Sequence, residues 1–184
     1  MNQKNYMWKQ LQERAIFRNR FIGLRNDLVL RPDGQQIEHI VIEGRDFVTI
    51  MCQTSNDKII LVDAFPYPWQ KKTKTTVGGL IEKDEDPKNA AIRETEEETG
   101  YKVENITFLG KVKISFLNIA WNYLYFAIVK KTNSKPIDPN EIISVNEFSI
   151  EDVHKMINNG DIIHASTINA FLLAKFYNLI KLAC

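Results

Sequence analysis

Cysteine, net charge and long apolar runs are all scarce in this sequence, and each scarcity excludes a class of protein. Only two cysteines occur in 184 residues, Cys52 inside an apolar run and Cys184 at the end. A disulfide framework is thereby excluded, and the usage suits a reducing cytoplasm, the expected location. Against 24 basic residues stand 23 acidic ones, a net charge of +1. That balance implies no large polyanion-binding surface, so nucleic acid is not an expected partner. No stretch reaches the roughly 18 uninterrupted apolar residues of a membrane span, so no membrane association is expected. The opening MNQKNYMWKQ lacks the apolar core of a signal peptide. The histidines His39, His154 and His164 share no metal-ligand spacing and read as surface or packing residues. What is present, 44% hydrophobic and 26% charged residues, suits one globular domain with a small appendage.

Along the chain, residues 1–14 read as a short helix or a loose arm. Short β-like runs follow at 15–17, 21–24 and 28–30, then the turn Arg31-Pro32-Asp33-Gly34 and a returning strand at 38–42. Residues 15–43 therefore form a small antiparallel unit, within an N-terminal β-rich extension at 1–43 that precedes the main domain at 44–184. Residues 47–52 and 58–62 pair across 54–57. A loop-rich link at 63–76 carries Pro66, Pro68, Trp69 and the basic Lys71, Lys72 and Lys74. Strand character returns at 106–116, with a break at Gly110, and at 121–129, an apolar run with the pattern of a buried strand. After a polar loop at 130–140 come a last strand at 142–148 and a helix opened by the capping box from Ser149 to Asp152 and closed by Gly160. A second helix, apolar over much of its circumference, covers 168–182. Strands, a helix, strands and then helices give an α+β protein with a mixed sheet.

The most informative stretch is GLIEKDEDPKNAAIRETEEETGY at 79–101. Asp86 reads as a helix N-cap with Pro87 at the first helical position, and Gly100 as the left-handed residue that stops the helix. Between them, Glu94, Glu97 and Glu98 are spaced i, i+3, i+4 and project from one face. Such a row is unfavourable alone. Like charges at this spacing cost roughly 0.2–0.5 kcal/mol per pair, and the final turns of a helix disfavour anions. Arg93 offsets part of the repulsion, and a hard divalent cation would offset more, because Mg²⁺ and Mn²⁺ prefer carboxylate oxygens. An arbitrary glutamate run would read as a solvated acidic face.

The complete spacing is different. Gly79, Glu85, Arg93-Glu94, Glu97-Glu98 and Gly100 fall at the fixed positions of the Nudix box, and the chain resembles a Nudix hydrolase. Thr95, where the family usually has an aliphatic residue, is a minor departure. The resemblance implies the Nudix fold, an α/β/α sandwich with a mixed sheet. Outside the box, the β-rich unit with its Pro-Asp-Gly turn and the C-terminal region from Glu141 to Thr167 are similar to the ADP-ribose and ADP-sugar pyrophosphatase branch. In that branch the N-terminal unit commonly crosses to a second subunit, so a homodimer is expected. The branch usually has Tyr-Arg where this chain has Phe65-Pro66, Glu-Leu-Pro where it has Thr75-Thr76-Val77, and a proline past the box where it has Ser115-Phe116. These departures leave a nucleoside diphosphate sugar other than ADP-ribose, or a different pyrophosphate, open as substrate.

The resemblance implies Glu97 and Glu98 as metal ligands, Glu94 as ligand or base, and the Gly78 carbonyl as a further donor, with Mg²⁺ or Mn²⁺ as the ion. Divalent ions neutralise polyphosphate oxygens and lower the pKa of bound water. Arg93 orients the carboxylates, and Glu85 ties the loop to the helix through Arg93. Gly78 and Gly79 admit backbone close to metal or phosphate. Glu141, with Asp138 behind it, is the candidate acid of a loop before the last strand; the alternative is an ordinary solvent-facing carboxylate. Trp69, with Phe65 and Tyr67, offers a surface for a base, with core or dimer packing as the alternative. The expected function is hydrolysis of the pyrophosphate in a small nucleoside diphosphate linked to another moiety, of the ADP-ribose or ADP-sugar type. The alternative is a nucleotide-binding regulatory module on the same fold without hydrolysis.

Overall fold

The computed structural model describes residues 7–132 and 142–180, and the chain divides into two compact units. One comprises residues up to 45 together with 113–121, the other residues 46–112 together with those from 122 onward.

The first unit is a four-stranded antiparallel sheet built around β3 (Ile22–Leu30). Along one edge of β3 runs β4 (Gln36–Gly44), in register from Ile22 opposite Gly44 to Leu30 opposite Gln36. Gly34, at φ +85°, makes the turn between them and donates its N–H to the Arg31 carbonyl at 3.0 Å. The other edge of β3 takes two short strands end to end, β1 (Lys9–Gln12) and β2 (Ala15–Arg18). The strand at β1 replaces the helix or loose arm expected for 1–14. An unpaired edge of β3 offers backbone groups that a short polar segment satisfies, whatever its weak local preference. Arg25 binds Glu13, Asp27 and Glu43 at 3.3, 2.9 and 2.7 Å. Residues 113–121 return to β4 through Ile42, whose N–H donates to Leu117 and whose carbonyl accepts from Ile119.

The second unit is a seven-stranded mixed sheet covered by helices on both faces. Its centre is β5 (Phe47–Thr54), which pairs in parallel with β10 (Asn122–Lys131), while β9 (Tyr101–Val112) pairs antiparallel with β10. Gly110 bends β9 at φ +142°, and the strand stops at Val112, short of the 116 expected. Alternate residues of β5 serve opposite faces. Val48, Ile50 and Cys52 pack with Ala90 and Ala91 of α1 (Pro87–Thr99). Met51 packs with Val153 of α2 (Ile150–Asn158) and Phe171 of α3 (Ala165–Phe176). This is the α/β/α sandwich with a mixed sheet that the resemblance implies. Helix α3 starts and ends earlier than 168–182, because the chain turns at Asn178 with φ +58° and the Leu179 N–H bonds back to Ala174.

A split in the sheet shapes the future site. After β5, the hairpin partner β6 (Ile59–Ala64) pairs with it only at Cys52–Ile60 and Gln53–Ile59. Beyond that the two strands part, and β7 (Thr73–Thr75) and β8 (Val77–Leu80) enter the gap, β7 against β6 and β8 against β5. The expected loop at 63–76 thus contains a strand, as well as a 3₁₀ turn at Tyr67–Trp69. Thr76 sits between the two inserted strands, its hydroxyl donating to the Ile50 carbonyl and its N–H to Thr167 Oγ1 at 3.0 Å. From β11 (Ile142–Phe148) at the margin of this sheet, Ser144 Oγ donates to the buried Asp63 at 2.6 Å, beside Lys74 at 2.6 Å and Lys72 at 3.2 Å. Burial works to raise the Asp63 pKa, but these donors outweigh it and hold the carboxyl group at about 2.

Two stability measurements follow from these contacts. Asp86→Ala should cost about 1 kcal/mol in urea unfolding, because it strips the cap from α1. The Asp63 contribution is whole above its ordinary value of 3.8 and is lost as pH falls through about 2. Acid unfolding of Lys74→Met, which removes the nearest cation, should therefore show a shallower loss across that window than the parent.

Candidate active site

Helix α1 holds its charged residues in place through a face of small side chains. Asp86 caps it by accepting from the amides of Lys88 and Asn89, Pro87 opens it, and Gly100 closes it at φ +71°. Ala90 and Ala91 let the helix approach the sheet, and the buried Thr95 satisfies its hydroxyl on the Ala91 carbonyl at 2.7 Å. The departure at Thr95 is thus accommodated inside the helix, with Cys52 Sγ at 3.8 Å from the same hydroxyl. That thiol is fully buried and pushed up to about 12 by burial, which makes it inert.

On the polar flank of α1, Arg93 gathers the carboxylates. Its Nε and Nη2 bind the two oxygens of Glu85 at 2.9 and 3.0 Å, and Nη2 also reaches the Leu80 carbonyl at 3.1 Å. Nη1 lies between Glu94 at 2.8 Å and Glu97 at 3.1 Å. Glu85 in turn accepts the Glu82 amide at 2.8 Å. One guanidinium therefore joins the loop before the helix to two of the three box glutamates, by charge-assisted bonds. The Glu85 partnership raises the Arg93 pKa further. Burial raises the Glu94 pKa above the usual carboxylate value, against the opposing pull of Arg93.

The two glycines of β8 bring backbone against this flank. A Cβ at Gly79 would stand 2.1–2.3 Å from the Glu94 carboxyl group, and one at Gly78 would stand 2.7 Å from the Val48 carbonyl. At Gly78 the obstacle is backbone, so glycine is required for the approach seen, while at Gly79 a side chain would push the Glu94 carboxyl group aside. The Gly78 amide lies 3.4 Å from Glu98 Oε2, so the third glutamate meets the same strand. Glu97 is more open than Glu94, with a side chain 42% exposed against 14%.

A cavity of about 660 Å³ opens in the sheet split beside this cluster. Gly78, Gly79 and Glu98 form one part of its wall, and Phe65, Trp69 and His164 another. The structure so brings Trp69 to the same cavity as the box residues. It also places there His164, which the sequence left among surface or packing positions. No motif marks that histidine; the spacing from Trp69 to His164 is set by the fold, and their rings stand 5.8 Å apart. Lys72 and Lys74 are engaged by Asp63. Glu141 and Asp138 lie outside the described residues.

Residues 44–171 match the family model described as the NUDIX domain. The chain belongs to the Nudix family. Residues 8–41 match a second model, the nucleoside diphosphate sugar hydrolase N-terminal domain. The chain is 28% identical to the methanol dehydrogenase activator of Bacillus methanolicus, over 94% of this chain and 95% of that protein. To the ADP-ribose pyrophosphatase of Bacillus subtilis (strain 168) it is 27% identical, over 88% and 89% respectively. To the GDP-mannose pyrophosphatase of Yersinia enterocolitica it is 26% identical, over 80% and 82%. A crystal structure of an ADP compounds hydrolase shares the fold at a TM-score of 0.80 and 17% identity, covering 92% of this chain and 93% of that one.

Nudix hydrolases generally use divalent metal ions. The donor chemistry here fits one: Glu94, Glu97 and Glu98 and the Gly78 carbonyl offer only hard oxygens. Among the described residues no three acidic, histidine or cysteine side chains already converge on a metal position, since Arg93 stands between Glu94 and Glu97. No helix among the described residues is long and apolar enough to cross a membrane.

Removing Arg93 leaves Glu85, Glu94 and Glu97 without their shared cation. Arg93→Ala should lower stability by on the order of 2–3 kcal/mol, since stranding partly buried partners costs more than losing an exposed pair. Urea unfolding at low and high salt checks this, with the loss smaller in high salt as the stranded carboxylates are screened.

Proposed function

We propose that this chain is a metal-dependent hydrolase that cuts the pyrophosphate of a small nucleoside diphosphate joined to another moiety, of the ADP-ribose or ADP-sugar type. The observation that carries the reading is the glutamate row of α1, gathered on Arg93 and adjoining a cavity that Gly78, Gly79 and Glu98 share with Trp69. The matched N-terminal model and the two pyrophosphatase relatives support the substrate class.

The residue roles follow from their surroundings. Glu97 and Glu98 hold the ion, Mg²⁺ or Mn²⁺, with the Gly78 carbonyl as a further donor. Bound there, such an ion neutralises phosphate oxygens and lowers the pKa of a bound water. Glu94, whose burial raises its proton affinity, serves as ligand or as proton acceptor from the attacking water. Arg93 touches no substrate; it fixes the directions of Glu94 and Glu97. Gly78 and Gly79 let the pyrophosphate approach the backbone, and Trp69 gives the base a flat surface. Glu141 is a second candidate for handling water. The active form is a homodimer joined through the N-terminal unit, residues 1–43, with 44–184 as the catalytic domain, and it works in the cytoplasm.

The second reading is a nucleotide-binding regulatory module without hydrolysis. The relative named as a methanol dehydrogenase activator favours it, and the complete glutamate set favours the enzyme. A hydrolysis screen separates them, with ADP-ribose, other nucleotide sugars, dinucleoside polyphosphates, NADH and nucleoside triphosphates, each with Mg²⁺ or Mn²⁺. At least one compound should yield two phosphorylated products. Glu97→Gln and Glu98→Gln should each cut that turnover by on the order of 100-fold while remaining folded. Turnover that survives exhaustive chelation, or saturable binding without products across the whole panel, would remove the hydrolase reading.

A further inference from the structure

His164 occupies the N-cap position of α3, yet its side chain does not cap the helix. Its Nδ1 instead lies 3.0 Å from Thr167 Oγ1. The same hydroxyl oxygen accepts the amide of Thr76, the residue between the two strands inserted in the sheet split. Thr167 is completely buried. A buried hydroxyl has a proton to place, and Thr76 is a donor at this contact. Among the described residues, His164 Nδ1 is the acceptor that remains. The network therefore fixes the tautomer: Nδ1 accepts and Nε2 carries the hydrogen. Burial lowers the imidazole pKa, which favours this neutral form near pH 7.

The ring so oriented forms part of the cavity wall, and Nε2 has no hydrogen-bond partner among the described residues. Beside it stands Trp69, 41% exposed, with Phe65, 50% exposed, on the same cavity. Aromatic faces with one oriented N–H donor match a flat heterocycle that carries acceptors on its edge. Phosphates find their surroundings in the other part of the wall, at Gly78, Gly79 and Glu98.

We propose that His164 is a substrate-recognition residue, donating its Nε2 hydrogen to an acceptor on the edge of a nucleobase that stacks on Trp69. Thr167 and Thr76 are its positioning residues. The inference rests on the nucleoside diphosphate reading of the same site, and it adds a contact that reads the nucleoside half.

The test uses the full chain and two kinds of probe. AMP and GMP are titrated calorimetrically with chelator present, so that binding is read without metal or turnover. ADP-ribose and GDP-mannose are then hydrolysed with Mg²⁺ or Mn²⁺. His164→Ala should weaken mononucleotide binding about tenfold, the scale of one lost hydrogen bond at a site that keeps its stacking surface. It should raise KM for the hydrolysed substrate by a similar factor and leave kcat within about twofold. His164→Gln, which retains an N–H donor, should recover most of the loss, and it serves as the probe should the alanine variant not fold. The ¹⁵N histidine spectrum should show His164 with Nδ1 unprotonated and Nε2 protonated. Hydrolysis with unchanged KM and unchanged mononucleotide binding in both variants would overturn the inference alone, as would a tautomer protonated at Nδ1. Mononucleotide binding sensitive to His164, in a chain that hydrolyses nothing, would overturn the hydrolase reading and leave the inference standing. Absence of any mononucleotide binding by the parent chain would overturn the inference.

Discussion

Much of this site depends on a single guanidinium placed among acids. Helix α1 ends in a run of glutamates where both their mutual repulsion and the helix dipole oppose them. Arg93 answers at short range: two of its nitrogens take Glu85, and the third takes Glu94 and Glu97 together. The arrangement performs two tasks at once. It anchors the loop before the helix, through Glu85 and the Leu80 carbonyl, and it directs two carboxylates while leaving Glu98 to face β8. A guanidinium suits both because its donors are fixed in one plane.

The second determinant is the parting of β5 and β6. A continuous pairing of these strands would have closed the sheet at this point. They separate after Cys52 and Ile60, β7 and β8 are inserted between them, and β8 carries Gly78 and Gly79 to the edge of the glutamate cluster. The gap becomes the cavity. Thr76, at the break between the inserted strands, turns its backbone donor away from the ladder to Thr167. The same defect in pairing that makes room for a ligand therefore also links α3 to the site.

Legibility in the sequence followed the range of the forces involved. The limits of α1 were readable because Asp86, Pro87 and Gly100 act on neighbours within a few residues. The inner strands were readable because β5 and β10 are largely apolar runs, the local pattern of strands buried on both faces. The resemblance across the box supplied the family and the sandwich, which periodicity could not. Less visible were features made by distant partners. Strand β1 forms because β3 has an open edge; β7 forms because two strands elsewhere diverge. His164 carries no local mark at all, and its tautomer depends on residues from two other places in the chain. Helix α3 ends before its apolar pattern does, because the left-handed turn falls on Asn178, a residue that carries no glycine-like stop signal.

The two compact units are interleaved along the chain, since residues 113–121 leave the larger one and bond to Ile42 in the smaller. During synthesis the smaller unit cannot complete itself when its four strands have emerged; it must wait for a segment translated much later. Excision at residue 45 would yield a piece whose last strand has lost the bonds from Leu117 and Ile119. This β-rich portion is not a detachable cassette, and a fusion protein or a domain-swapped chimera that respects its structure has to transplant both stretches.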